Sequence, residues 1–350
     1  MKLGLGLDVW PGAGLQMPTE QVRTAERLGF DSVWTAEAYG ADAITPLAFL
    51  AAQTERIRLG TAIVQISART ATATAMAMAT VDALAGGNRV ICGLGLSGPQ
   101  VVEGWYGQPW ARPVGRMRDY VAILRKVWRR DGPMVHEGSA IRVPYAGADA
   151  TAMAKPLRSI LHTADLPVWI AAGGTRMVEL TAEIADGWIP MGFRPGMLES
   201  HYRDALDAGF ARRGGGSTGA PHGFEIAPSV SVVLTDDVRA TFAAMKPRTS
   251  MYVGGMGHPE MNFHNQSMAR VGYPEAAAKI QELFLAGRRE EAAAAVPDEF
   301  LDDGGLFGSE QRIRERYAAW ESSGATTLVV RSNGTRALEL MADLAGTREA

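Results

Sequence analysis

Two glycine-rich segments, GLGLSG at 93–98 and AAGGT at 171–175, each follow a short apolar run and have the composition of an anion site. A helix that begins directly after glycines leaves backbone amides unpaired and presents the positive end of its dipole, with no side chain in the way. Neither segment fits the phosphate-loop pattern, and 93–98 lacks the third glycine of a dinucleotide fingerprint. The alternative is that these glycines only allow close helix packing. We expect a shared phosphate site.

Carboxylates at the ends of two apolar runs are the next candidates for chemistry. Asp8 follows the first run, and Glu37 follows SVWTA at 32–36. In an α/β barrel, side chains at the carboxyl ends of strands line the active site. Capping of a nearby helix is the competing role for both residues. The sequence favours a catalytic role for Glu37 and leaves Asp8 open.

The histidines do not form a recognisable metal site. The six are scattered, with no HExxH pattern, and Cys92 is the single cysteine, so we predict neither a bound metal nor a disulfide. No GxSxG elbow or kinase signature occurs, which disfavours hydrolysis by a catalytic triad. His258 and His264 lie with Tyr252 in a glycine- and methionine-rich loop, which we expect to line a substrate entrance. The alternative is a surface excursion with no role in ligand binding.

The elements that would position these residues alternate along the chain. Short apolar runs separated by segments with helical spacing predict parallel β/α units, and the number of runs is that of a (β/α)8 TIM barrel. We expect one domain over 1–350, with insertions at the carboxyl-terminal mouth at about 131–163 and 249–308. The predicted strands lie at 3–7, 32–34, 57–64, 89–96, 166–171, 187–189, 226–234 and 327–330.

Composition limits the class of partner. The chain has 350 residues, a net charge of -3 and a pI near 6.1, so it has no general attraction to nucleic acid or to an anionic membrane. The amino terminus lacks a signal-peptide pattern, and no apolar stretch has the length of a membrane span. A single cysteine suits a reducing compartment. We expect a cytoplasmic protein that acts on a small molecule.

Several motifs in order along the chain resemble one family. They are AERLGFDSVW at 25–34, RIRLGTAI at 56–63, LAGGNRVICGLG at 84–95, IAAGGT at 170–175 and ADGW at 185–188. The chain is similar to the luciferase-like monooxygenase superfamily and, within it, to oxidoreductases that use the deazaflavin coenzyme F420. SGPQVVEGWYGQPW at 97–110 is similar to a segment of actinobacterial members of that group.

This resemblance implies a luciferase-like barrel, a homodimer, and a tricyclic cofactor ring across the mouth. Ala62 and Ile63 correspond to a bulge against the ring, often with a non-proline cis peptide. The other residues that the resemblance assigns to the cofactor are Glu37, Ser97, Gly98, Gly173, Gly174, Thr175, Arg176 and Met177. Trp10 is expected to line the substrate pocket with Tyr252, His258 and His264.

The implied reaction is hydride transfer between the deazaflavin ring and a small organic substrate, with Glu37 polarising the ring or relaying a proton. Ala38 stands where relatives that oxidise a sugar phosphate carry a histidine, so the substrate is left open. Three alternatives remain at this point: an FMN-dependent monooxygenase, a catalytically silent F420-binding protein, and a phosphosugar-binding barrel without redox chemistry.

Overall fold

The computed structural model describes residues 1–7, 16–162, 164–213, 223–332 and 334–348. Asp8, Trp10 and His222 lie outside the described residues. The strands are β1 (Lys2–Gly6), β2 (Ser32–Thr35), β3 (Arg58–Thr61), β4 (Val64–Gln65), β5 (Val90–Gly95), β6 (His136–Glu137), β7 (Arg142–Val143), β8 (Val168–Ala172), β9 (Gly187–Pro190), β10 (Glu225–Ile226), β11 (Ser229–Leu234), β12 (Gly305–Gly308) and β13 (Thr327–Arg331).

Helices follow the strands of the barrel and pack on its outside. They are α1 (Thr19–Arg27), α2 (Ile44–Ala51), α3 (Ala71–Leu84), α4 (Pro99–Val102), α5 (Pro113–Arg129), α6 (Thr175–Ile184), α7 (Arg203–Arg212), α8 (Val238–Gly255), α9 (Phe263–Arg270), α10 (Pro274–Leu285), α11 (Arg289–Ala294), α12 (Asp298–Asp303), α13 (Glu310–Glu321) and α14 (Thr335–Ala345). A π-helical turn at Leu198–Tyr202 leads into α7.

The parallel strands close into the predicted barrel. Their order runs from β10 through β9, β8, β5, β3, β2, β1 and β13 to β11. β10 and β11 are one segment interrupted at Ala227 and Pro228; its first part pairs with β9 and its second with β13. Because the same segment stands at both ends of the order, the sheet has no free edge there. All these strands therefore end at one rim.

Aromatic side chains fill the barrel interior. Trp34 from β2 and Trp169 from β8 have ring centroids 4.9 Å apart, and Ile91, Ala227 and Val329 pack around them. The strands in contact with these rings carry glycine, because a Cβ at Gly4 would lie 2.7 Å from Trp34, and one at Gly187 would lie 2.7 Å from Trp169. The lower barrel is therefore solid, and ligand chemistry must take place above it.

The insertions differ from each other in structure. The first carries the short β6–β7 hairpin, held by the Asp119 carboxylate, which accepts from the amides of Ala140 (2.7 Å) and Ile141 (2.9 Å). The second contains α9 to α12 and β12, and has a core of its own, formed with α8 by Phe242, Val253, Met268, Ala277, Ile280, Val296, Leu301 and Phe307.

The sequence-based prediction was wrong over part of the second insertion. The glycine-rich stretch from 251 was expected to be a loop, but α8 continues to Gly255. Gly254 lets the helix approach α10 closely, because a Cβ there would lie 2.5 Å from the Cβ of Phe284. The prediction also missed β12, which extends the sheet beside β11. Within the described ranges, no helix combines the length and the apolarity that crossing a membrane requires.

Candidate functional site

Neighbouring strands bring the two glycine-rich segments to the same part of the rim. β5 and β8 are parallel partners, with Leu94 opposite Ile170. Ser97 follows the end of β5, and Thr175 begins the helix that follows β8. The structure therefore places both predicted anion-binding segments at adjacent positions of the carboxyl-terminal mouth.

The amino terminus of α6 presents backbone amides to open space. Gly174 is its N-cap, in an extended conformation, and the helix has no side-chain cap there. Apart from the adjoining residues, no atom of the described chain lies within 4 Å of the position that a Cβ on Gly174 would take. Thr175 and Arg176 are exposed, and Met177 is half-buried. The first amides of a helix lack partners within it, so this turn suits an anion.

The carbonyl groups before α6 point away from that open space. Gly173 O accepts from Arg270 Nη1 at 2.7 Å and from the Tyr202 hydroxyl at 3.4 Å. Ala172 O accepts from the indole of Trp188 at 2.9 Å. Because the acceptors are used inside the protein, the groups left for a ligand are donors. Arg270 adds a positive charge beside them.

Sequence reasoning missed Arg270. It lies on α9, in the second insertion, and nothing in its local sequence relates it to Gly173. Only the packing of α9 against the β9–α7 connection brings them together: a Cβ on Gly192 would collide with the Ser267 hydroxyl.

Ala62 and Ile63 form an apolar step at the rim, joined by a cis peptide bond as the resemblance implied. The Ile63 side chain covers Gly95, where a Cβ would lie 2.6 Å from its Cδ1. Ala62 and Ile189 pack on the aromatic cluster below. The floor of the mouth is therefore apolar at this point.

Ser97 and Gly98 form the turn after β5. Ser97 has a left-handed backbone with φ of 60°, and Gly98 is extended before α4. The Gln100 side chain lies against Gly98 and donates to the Met256 carbonyl. This turn thereby contacts the end of α8.

Glu37 is buried with its carboxylate engaged by donors of the protein. It accepts from Arg69 Nη1 at 2.7 Å, from the Gln65 amide at 3.1 Å and from the Ala43 amide at 3.3 Å. Arg69 also lies 3.6 Å from Asp42. Burial opposes the charge on Arg69, but its hydrogen bond and ion pair with Glu37 raise its pKa overall. These three donors fix the Glu37 carboxylate between the ends of β2 and β4. Its catalytic role stays a prediction.

The predicted substrate residues are partly brought together. Tyr252 on α8 and His264 on α9 meet edge to face, with ring centroids 4.8 Å apart. Burial lowers the pKa of His264 to about 4, which leaves its imidazole neutral near pH 7. His258 is exposed on the intervening turn, where its Nδ1 accepts from the Glu260 amide at 3.3 Å.

Two aromatic residues that the sequence analysis missed lie near the end of α8. The Tyr39 hydroxyl is 3.3 Å from the Met256 sulfur, and the Tyr39 and Trp105 rings are 6.4 Å apart. Both are exposed, Tyr39 at 45% and Trp105 at 63%. They follow β2 and β5, and their only sequence signal was this position after a strand. In the described part of the chain, no cluster of three His, Cys, Asp or Glu residues could hold a metal ion.

Comparison with known proteins agrees with this architecture. The family model described as luciferase-like monooxygenase matches residues 8–327. A Mycobacterium tuberculosis protein, provisionally named a coenzyme F420-dependent oxidoreductase, is 44% identical over 98% of this chain and 99% of its own. The 5,10-methylenetetrahydromethanopterin reductase of Archaeoglobus fulgidus is 26% identical over 89% of this chain and 88% of its own.

Solved structures share the fold. The coenzyme F420-dependent tetrahydromethanopterin reductase of Methanopyrus kandleri has a TM-score of 0.77 at 20% identity, covering 97% of each chain. An F420-dependent secondary alcohol dehydrogenase, solved with an F420–acetone adduct, has a TM-score of 0.74 at 15% identity, covering 99% of this chain and 98% of its own. The chain belongs to the luciferase-like monooxygenase family.

Proposed function

We propose that this protein is a coenzyme F420-dependent oxidoreductase that transfers a hydride between the deazaflavin and a small organic molecule. The observation that carries the proposal is the 44% identity, over nearly the full length of both chains, to a relative named for that cofactor. The donor-rich turn at α6 supports it independently, because F420 carries a phosphodiester that such a turn can bind.

The rim residues fit a ligand that combines a phosphodiester with a flat apolar ring. The amides of Gly174, Thr175 and Arg176, with the guanidinium of Arg270, would hold the phosphate. Ala62 and Ile63 would support one ring face, and the Ser97–Gly98 turn would flank the ring. Gly173 and Met177 complete the cradle from either side of these amides.

When bound, the deazaflavin supplies a ring carbon that gives or takes the hydride. The protein's contribution is placement and exclusion of water. The apolar floor at Ala62, Ile63 and Ile189 keeps water from one side of the mouth. Tyr252 and the neutral His264 lie on the second insertion, where we assign them to the substrate. His264 in its neutral form has one nitrogen that can donate and one that can accept a hydrogen bond to a substrate.

Glu37 is part of this proposal as a residue that polarises the ring or relays a proton. Its carboxylate accepts from three protein donors, so it acts through Arg69 and the Gln65 amide unless one of them is displaced. Changing Glu37 to Gln keeps its shape, and a proton-relay role predicts a changed pH profile of turnover, whereas a purely positional role predicts a uniform loss.

Equilibrium titration of the purified protein with F420, FMN and NADPH tests the proposal. We expect tight binding of F420 and weak binding of FMN, followed by reduction or oxidation of the bound F420 in a screen of alcohols, ketones and activated alkenes. Preferential binding of FMN would favour an FMN-dependent monooxygenase, and tight F420 binding without hydride exchange would favour a silent binding protein. Failure to bind either would overturn the proposal.

Homodimer formation and a cytoplasmic location stay predictions from the sequence. Light scattering of the purified protein and fractionation of the source cells test them.

A further inference from the structure

Gln65 has a buried acceptor that the protein leaves unused. The residue is 2% exposed, and its Oε1 has no hydrogen-bond partner in the described part of the chain. Buried side-chain polar atoms are nearly always paired, so an unpaired acceptor this close to the predicted cofactor contacts requires an explanation. Its place, two residues beyond the Ala62–Ile63 cis peptide and opposite Gly95, puts it among the predicted cofactor contacts.

The neighbouring hydrogen bond fixes which end of the amide is unpaired. Gln65 Nε2 donates to the backbone carbonyl of Glu37 at 3.2 Å. If the amide were turned over, its oxygen would face that carbonyl and two acceptors would meet. The free atom is therefore the oxygen, and it needs a donor.

The charge around Gln65 narrows the donor. The Glu37 carboxylate lies 3.1 Å from the Gln65 backbone amide and is already paired with Arg69 at 2.7 Å, so the charges beside Gln65 balance and favour neither an anionic nor a cationic ligand group. A neutral N–H or O–H is what fits. The pyrimidine half of a deazaflavin carries a neutral ring N–H.

We propose that the side-chain carbonyl of Gln65 accepts a hydrogen bond from the ring N–H of the cofactor and so helps to select and orient the ring. This inference rests on the proposed function. Because Oε1 is enclosed, groups that cover it must move aside when the ring binds. Gln65 Oε1 therefore lowers the stability of the free protein and gains its hydrogen bond only when the cofactor is bound.

The test uses two probes, F420 and the ribityl deazaflavin that lacks its phosphate. Each probe is titrated by fluorescence against the wild-type protein and the variants Gln65→Leu and Gln65→Met. We expect both variants to bind both probes about tenfold more weakly, as for one lost hydrogen bond. The loss should be the same for the two probes, because the contact is to the ring.

Thr327→Val is the matched control. Thr327 is buried at the amino-terminal end of the barrel, where its hydroxyl donates to the Glu225 carboxylate at 2.9 Å. It should lower the melting temperature without changing either dissociation constant. If both Gln65 variants bound the ribityl deazaflavin with wild-type affinity, the inference would be overturned and the proposed function would stand. A loss of affinity confined to F420 would have the same meaning. If the wild-type protein bound neither probe, both would fall.

Discussion

The two ends of this barrel are built from the same strands but differ in how completely their polar groups are paired within the protein. At the amino-terminal end, Arg58 donates to Asp31 through Nε at 2.9 Å and to Glu225 through Nη2 at 3.1 Å. Lys2 donates to Glu225 at 3.1 Å, and the Thr327 hydroxyl donates to the same carboxylate at 2.9 Å. Lys2, Asp31, Arg58 and Glu225 are thus paired with one another.

At the carboxyl-terminal end, Glu37 is paired with Arg69, but two other sets of polar groups have no partner in the described part of the chain. The amides at the start of α6 have no side-chain cap, and Gln65 Oε1 has no partner among the described residues. Arg270 has its Nη1 on Gly173 O, beside those amides. A ligand that accepts at α6 and donates at Gln65 would complete this end as the ion pairs complete the other.

The comparison separates groups that stabilise the fold from groups that serve a ligand. Pairing inside the protein contributes to the free energy of unfolding and is present without ligand. Unpaired groups add no stability to the free protein, and lower it where they are buried; they gain a partner only when a ligand binds. Substitutions at the amino-terminal end should therefore change the free energy of unfolding, and substitutions of unpaired groups at the carboxyl-terminal end should change the affinity for the ligand.

The largest expected effect is at the amino-terminal end. Arg58→Met should lower the free energy of unfolding by about 3 kcal/mol, because it removes the partly buried cation that Asp31 and Glu225 share and leaves the half-exposed Lys2 as their remaining partner. Denaturant titration measures this change. The dissociation constant for F420 should stay within twofold of wild type.

Arg58→Lys is the control for this prediction. It keeps the positive charge but cannot reach both carboxylates in the same way, so it should recover part of the loss. An unfolding free energy for Arg58→Met within 1 kcal/mol of wild type, or a large loss of F420 affinity, would break the contrast between the ends.

The second effect concerns His264, on α9 of the second insertion. Its folded pKa of about 4 lies below the ordinary value of 6.5, so the folded state resists a proton that the unfolded state accepts. The stability from this difference is complete above pH 6.5 and is lost as the pH falls towards 4. Wild type should lose roughly 2 kcal/mol more than His264→Phe between pH 7 and pH 4 in matched denaturant titrations. Parallel pH profiles would contradict a buried neutral imidazole.

The barrel itself was predictable from sequence because its signals are local. Short apolar runs between helical segments predicted the barrel strands to within a few residues, and glycine at 173 and 174 predicted the break before α6. The family motifs placed the cis peptide at Ala62–Ile63. In each case the residues that determine the feature are next to each other in the chain.

The features that sequence reasoning missed depend on distant partners. Gly254 and Gly255 indicated a loop, yet the packing of α8 on Phe284 requires small residues inside a helix. The role of Arg270 depends on how α9 packs on the barrel, and the engagement of Glu37 depends on Arg69, more than thirty residues away. Spacing along the chain carries no signal for such contacts.

The third prediction compares two helix starts. Gly174 and Gly334 are both extended N-caps with open space at the Cβ position, before α6 and α14. Aspartate at either site would cap the helix and change stability by only a few tenths of a kcal/mol. Gly174→Asp should also weaken F420 binding about thirtyfold, roughly 2 kcal/mol, because its carboxylate would compete with and repel the phosphate. Gly334→Asp should leave affinity unchanged; equal losses in both variants would remove the reason to assign the phosphate to α6.

The smallest effect, and the sharpest for the mouth, is expected from Arg270. Arg270→Leu removes one positive charge beside the α6 amides but leaves those amides in place, so F420 should bind about tenfold more weakly. The phosphate-free ribityl deazaflavin should bind the variant and the wild-type protein with equal affinity, because Arg270 is assigned to the phosphate and not to the ring. Arg270→Lys should recover part of the F420 affinity, since it restores the charge.

The two titrations separate this role from a structural one. Arg270 also donates to Gly173 O, so its loss could distort the turn itself. A distorted turn would displace the first amides of α6 and the adjoining ring site together, and both ligands would then lose affinity. A loss of affinity confined to F420 assigns Arg270 to the phosphate. An equal loss of affinity for the ribityl deazaflavin would instead show that Arg270 holds the turn in place, as one of the residues that stabilise the fold.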